Sequence, residues 1–334
     1  MLPITDERPA RSQGAGGRVV AILACLAIGA FAPEAAVCRA SELFPEIPRR
    51  TIAPAPDDHT LGAGPSSFPA LPPANPDFLV QDPPTWTLLP EGLLYRSYVA
   101  GEKESRFSTA WLYDTDDGWW WDSTLGGRAG VARFDPGWRG DGTWQLDIEG
   151  AAMVRLDMTH SEDLQGVDFR FGVPLTWRDG PVAFKTGYYH VSSHVGDEFL
   201  LRTPGFERIN YVRESLVFGV ERDLGDEWMV YAETGYAFKV SGGAKPLEFQ
   251  FGAEYEARPD GWRFAAPFAA VNIHLRQEVD FGGSVNAITG WRWSGDRHAR
   301  TWRAGLQFFQ GKSAQYSFFR RTETLLGLGL WYDY

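Results

Sequence analysis

Cysteine is nearly absent from this 334-residue chain, and both copies, Cys25 and Cys38, lie within its first forty residues. If an export signal is removed at Ala40, no thiol is left to make a disulfide framework in what remains. Long apolar runs are missing too. The longest, VVAILACLAIGAFA at 19–32, falls short of the roughly 20 residues that a membrane-spanning helix needs. Excess positive charge is also lacking: 43 Asp and Glu against 32 Lys and Arg give a formal charge of −11. Phosphate backbones would be repelled, which excludes nucleic acid as a partner.

What the chain does have is aromatics and glycine: 14 Trp, 12 Tyr, 22 Phe and 37 Gly. That usage suits strands and turns better than packed helices. Arg11 and Arg18 precede the apolar run, and AAVCRAS follows it, so residues 1–40 read as an export signal cut after Ala36 or Ala40. Degenerate lipid-attachment motifs end at Cys25 and Cys38, neither with the expected spacing. Residues 41–92 hold a dozen prolines and no apolar period. Such a segment cannot build a core and reads as a Pro-rich periplasmic arm, although Phe44, Phe68, Phe78 and Trp86 offer it docking points.

From about residue 107 the pattern alternates. In TWQLDIEGAAMVRL, Trp144, Leu146, Ile148, Val154 and Leu156 share one face, and Gln145, Asp147, Glu149 and Arg155 share the other. QGVDFRFGVPLTW, DEWMVYAETGYAFKV and KPLEFQFGAEYEA repeat it, the second of these placing Glu233 and Lys239 opposite Trp228, Tyr236 and Phe238. Runs of this length match tilted membrane-crossing strands of about 9–11 residues. A soluble sandwich alternates as well, but here the apolar face begins or ends in Trp or Tyr, as an interfacial girdle does. The final run, TETLLGLGLWYDY, closes on aromatics in the manner of outer-membrane proteins.

The segments expected as strands are 107–113, 123–135, 143–156, 165–177, 181–192, 208–222, 226–240, 245–258, 262–275, 279–293, 301–310 and 324–334. The expected fold is therefore all-β: an antiparallel up-and-down transmembrane β-barrel of about twelve strands over 93–334, in the bacterial outer membrane. Its lumen would hold Asp147, Glu149, Arg170, Lys185, Arg213, Glu233, Glu254, Arg292 and Arg303, charges of both signs that plug rather than open a narrow barrel.

The stretch GYYHVSSHVGDEFLLR (187–202) carries the candidate chemistry. By parity, His190 and Ser192 share the lipid-facing side of their strand, and Asn210 and Glu214 share that side on the next. An imidazole can take a serine's proton, and a third polar group can fix the imidazole's tautomer. The candidate catalytic set is Ser192 as nucleophile, His190 as base, and Asn210 or Glu214 as orienter, with an ester of an outer-leaflet lipid as substrate. The same residues also read as polar rim groups meeting headgroups. A metal reading uses His194, Asp197 and Glu198 with His160 and His190, but its His-x3-His spacing belongs to a helix.

His190-Val191-Ser192, with Asn210 beyond, resembles the outer-membrane phospholipase A family: twelve-stranded barrels with a His-x-Ser pair on the outer face and an Asn from the following strand. The resemblance implies a lipid hydrolase. Ser193-His194 stands where that family has Asn-Gly, and its Asn lies closer in sequence; Glu214 or Glu207 would be the substitute. The residues call for no cofactor, with calcium and a second copy of the chain left open as cofactor and partner. YHVSSHVGDEFLLR, the following RINY and the aromatic C-terminus resemble, over about 86–334, the bacterial family called domain of unknown function 1207, which implies the architecture and no activity.

Three further motifs stand out. GWWWD (118–122) reads as a tryptophan cluster in an outer loop, anchoring at the membrane surface. FFRRTE (318–323) offers Arg320 and Arg321 to phosphates or solvent. GGRAG (126–130) suggests a strand kink, because no helix follows to make a phosphate loop.

Overall fold

The computed structural model describes residues 82–137, 142–258, 265–293 and 300–333. The expected signal at 1–40 and most of the arm at 41–92 lie outside them. The described chain forms β1 (Thr85–Leu88), β2 (Phe107–Asp114), β3 (Gly118–Asp135), β4 (Thr143–Asp157), β5 (Asp163–Asp179), β6 (Val182–Val195), a short helix α1 (Asp197–Arg202), β7 (Tyr211–Leu224), β8 (Trp228–Ser241), β9 (Leu247–Glu256), β10 (Ala266–Arg276), β11 (Gly283–Trp293), β12 (Thr301–Lys312) and β13 (Thr322–Asp333). Strands β2 to β13 pair antiparallel with their sequence neighbours, and β13 pairs with β2. The result is a closed twelve-stranded up-and-down barrel. Closure leaves no row of unpaired backbone groups facing lipid, which is why sheets cross membranes only as barrels.

Alternation sets the two faces. Outward stand Leu146, Ile148, Phe171, Leu175, Phe218, Leu306 and Leu328, all exposed, a surface suited to lipid and not to water. Aromatic pairs line both ends of this belt. Toward the end where β13 finishes are Trp144–Trp177, Trp228–Tyr255 and Trp302–Tyr332; toward the end bearing α1 are Tyr113–Trp119, Phe249–Phe281 and Tyr188–Phe238. Every residue assigned to the lumen from alternation does point inward, from Asp147 and Glu149 to Arg292 and Arg303. Most of these charges are paired, and Arg155 beside them lies 2.7 Å from Asp122 and 2.9 Å from Glu323. Buried pairs stabilise little against apolar packing but are costly to break singly, so they fix one arrangement.

Four details add to or depart from expectation. GWWWD is strand rather than loop: β3 begins at Gly118, Trp119 and Trp121 face outward, and Trp120 is buried under the Arg155 guanidinium. The connection is only Thr115–Asp117, held by the Asp114 carboxylate accepting from the Asp116 and Asp117 amides. Lys239 faces outward, because a bulge in the β7–β8 ladder between Glu214 and Ser215 inserts one extra residue into β8 and shifts the alternation. GGRAG does mark an irregularity, a register shift between Gly130 and Ala132.

The fourth concerns the segment before β2. β1 pairs with β3 at Ala132–Asp135, beyond the reach of β2. The chain then turns at Leu89, whose φ of 48° is left-handed, and runs through the lumen to Arg106. Tyr98 stacks on Tyr231 with centroids 3.7 Å apart and donates to Glu233 at 3.0 Å. Val99 N donates to Glu254 at 2.7 Å, Asn286 donates to Ala100 O at 2.9 Å, and Lys103 pairs with Asp168. Gly219 has no side chain because the Tyr95 hydroxyl occupies the space, 2.6 Å from where a Cβ would sit. Part of the chain itself is thus the plug. From the other side the loop 313–321 closes over it, with the Tyr316 amide donating to Asp168 and the Ser317 amide to Ser193 Oγ.

Candidate functional site

β6 delivers His190 and Ser192 to the lipid-facing side because both share parity with Phe184 and Tyr188, while Tyr189, Val191 and Ser193 are buried inward. Register places His190 directly across from Glu214 on β7, and Ser192 across from Val212. Facing residues in an antiparallel pair have Cβ atoms about 5 Å apart, close enough for the two side chains to meet. His190 Nδ1 lies 3.1 Å from Glu214 Oε1, and the Tyr188 hydroxyl donates to Glu214 Oε2. Both carboxylate oxygens are therefore engaged. With Glu214 ionised, the proton sits on Nδ1 and Nε2 is left with a free lone pair, the state a general base needs.

Ser192 stands two positions along the same strand, about 6–7 Å away by strand rise. Its hydroxyl has no hydrogen bond among the described residues, and none joins it to His190. Asn210 lies just past the Ser193–Tyr211 pairing, one row beyond Ser192, and makes no side-chain hydrogen bond to the pair among the described residues. It precedes β7, its side chain is exposed, and its carbonyl accepts from Ser241 Oγ at 2.7 Å. Glu207 is likewise an exposed loop residue.

The metal candidates separate. His194 faces outward with its ring edge against Phe169, Asp197 and Glu198 lie in the first turn of α1, and His160 bonds Asp157 at 2.8 Å. Among the described residues no three His, Cys, Asp or Glu side chains gather as a metal group.

Two partners were hidden from parity reasoning. Tyr188 is an aromatic that reads as girdle, and only its register beside Leu216, one row from Glu214, marks it as a carboxylate donor. Lys239 sits opposite Glu214 once the bulge is counted. Away from the strand ends, every other Asp, Glu, Lys and Arg of the described barrel strands faces the lumen. His190, Glu214 and Lys239 thus form the membrane face's one compact group of ionisable residues among those described. Charge on that face is costly and marks functional sites.

Residues 59–334 match the model of a family described as Protein of unknown function (DUF1207). No curated protein matches the sequence. Among solved structures the chain is similar to outer membrane phospholipase A from Escherichia coli, with 12% identity over 69% of this chain and 93% of that one and a TM-score of 0.43. It is also similar to the Salmonella typhi outer membrane phospholipase dimer with bound calcium (13% identity, 69% and 91% covered, TM-score 0.43) and to the KdgM porin (8% identity, 68% and 99% covered, TM-score 0.35).

Proposed function

We propose that this chain, which belongs to the DUF1207 family, is exported to the bacterial outer membrane and hydrolyses acyl esters of membrane lipids at the outer face of its barrel wall. The observation that carries the reading is the His190–Glu214 contact on the lipid-facing surface, with Ser192 on the same face of the same strand. In the reaction, Ser192 Oγ attacks the ester carbonyl carbon while His190 Nε2 takes its proton. The imidazolium is stabilised by Glu214 through Nδ1 and returns the proton to the leaving alcohol oxygen. Water, deprotonated by the same nitrogen, then releases the fatty acid and restores Ser192.

The test is acyl-ester hydrolysis by refolded protein, wild type beside Ser192→Ala and His190→Ala, with and without calcium. Loss by orders of magnitude in both variants, each still migrating as a folded barrel, supports the pair. A wild type inactive on phospholipids, lipid A and simple esters refutes it. One observation favours a second reading, a non-catalytic barrel that binds a ligand or partner or supports the envelope: among the described residues the Ser192 hydroxyl makes no bond to His190.

A further inference from the structure

We infer that Lys239 is the residue that recognises the substrate, through a lipid phosphate, and so selects phosphorylated acyl lipids over neutral ones. The inference rests on the hydrolase reading for its catalytic consequence. The phosphate seat itself needs only the geometry.

Strict alternation along β8 would turn Lys239 into the lumen, among the other charges. The bulge opposite Glu214 and Ser215 prevents this, leaving Phe238, Lys239 and Val240 exposed in succession. An irregularity that carries an ammonium to a lipid-facing wall costs ladder hydrogen bonds and desolvation, and bulges are recurrent means of re-aiming a side chain at a site. Glu214 lies directly across and acts on Lys239 by charge, but no close ion pair joins the two, and the Glu214 oxygens meet His190 and Tyr188. Among the described residues, then, the exposed Lys239 head makes no hydrogen bond and no close ion pair, beside the proposed base. An anion from the membrane would complete it. The anion that an acyl lipid carries near its ester is a phosphate, and Lys serves phosphates as a flexible point charge.

The surface below accepts the rest of such a molecule. Two rows further into the membrane from His190 and Glu214 opens an apolar groove of about 850 Å³ in the outer wall. Thr186, Ala232 and Thr234 lie in it between the bulkier Phe184, Phe218 and Phe249. A lipid with its phosphate at Lys239 and its ester at Ser192 can lay one acyl chain along this groove. Lys239 is in the row of His190, two strands over, Ser192 is one row out and the groove lies below, all on one stretch of wall.

The test compares wild type, Lys239→Gln and Lys239→Arg on dioleoyl phosphatidylglycerol, dioleoylglycerol and hexa-acyl lipid A in mixed micelles. In parallel, native mass spectrometry reads retention of the same three lipids by Ser192→Ala protein with and without Lys239→Gln. The wild type is expected to show a KM for phosphatidylglycerol roughly fivefold below that for dioleoylglycerol, the scale of one basic residue at an anionic surface. Lys239→Gln should bring that ratio toward one and Lys239→Arg should keep it; the lipid A arm tells which phosphate source is preferred. An unchanged KM ratio in Lys239→Gln overturns the inference. If no variant hydrolyses anything, the hydrolase reading falls. Selective retention of phosphorylated lipid that Lys239→Gln abolishes would then still sustain the seat, and equal retention would overturn it.

Discussion

Replacing Lys103 by Met should destabilise the barrel far more than its single lost contact suggests. Lys103 belongs to the luminal segment and is buried, with its ammonium on the wholly buried carboxylate of Asp168 and 4.5 Å from the Tyr316 ring centre. Asp168 also accepts from Ser193 Oγ and from the Tyr316 amide, so it ties the plug, β6 and the closing loop together. Methionine keeps the volume but leaves a buried carboxylate without its cation, a change that typically costs about 3–5 kcal/mol. Asp168→Asn in the same chain removes the stranded charge, and its amide oxygen can still accept from the Tyr316 amide. The double variant should therefore recover most of the loss, with a coupling of about 2 kcal/mol or more. Equilibrium urea unfolding in lipid vesicles, followed by tryptophan fluorescence, measures all three. A Lys103→Met cost below about 1 kcal/mol, or a double variant no better than the single, would refute the claim that this pair locks the plug.

Other consequences can be measured directly. On the hydrolase reading, Glu214→Gln removes a charge-assisted bond of about 1.5–3 kcal/mol, so kcat on a lipid ester should fall about 10- to 150-fold, with KM and the heat-modifiable gel shift little changed. Gly219→Leu drives a side chain into the Tyr95 hydroxyl, and vesicle unfolding should register about 1–3 kcal/mol of lost stability. Leu328→Arg, on an outward position that is 60% exposed, should cost about 2–4 kcal/mol if it lies near the bilayer midplane, and the same assay reads it. Replacing Glu91–Ser105 with a short Gly-Ser linker should turn a silent protein into a cation-preferring pore in planar bilayers. The uncovered wall would present Asp168 and Glu254 without their plug partners, while Glu221, Asp223 and Glu233 keep Arg178 and Lys185; channels that stay closed would show that the wall alone fills the lumen.

The parts legible in the sequence are those governed by period two. Leu326, Leu328 and Leu330 had to share a face, Asp147 and Glu149 the opposite one, and His190 and Ser192 had to fall on the membrane side once Phe184 was placed there. Strand count followed from the same rule. What escaped is what breaks or ignores alternation. Three consecutive tryptophans at 119–121 hide their own in–out pattern, so β3 looks shorter than it is. A single bulge reverses Lys239. Asn210 reads as strand on parity alone, whereas the strand begins at Tyr211. The plug left no periodic trace, because Tyr95, Tyr98, Val99 and Lys103 are held by partners far along the chain, such as Tyr231, Glu254 and Asp168. Only closure of the barrel brings those together.

That closure also bears on where chemistry can occur. In a wide barrel the lumen is the natural reaction vessel, but here it is occupied by the chain's own residues 89–106 and by paired charges, with cavities of about 80 and 30 Å³ left between them. Such spaces hold water and exclude a lipid or a sugar. Polar groups inside are also committed: Ser193, the inward neighbour of Ser192, is bonded to Asp168 and Ser317. Ser192, His190 Nε2 and Lys239 are not committed among the described residues, and all three face the membrane. Among the described residues, the interior is spent on holding the barrel shut, and the wall and rim are left to meet a ligand. On the hydrolase reading, the wall carries the proposed nucleophile, base and cation in a single patch, and a substrate arriving there comes from the lipid phase.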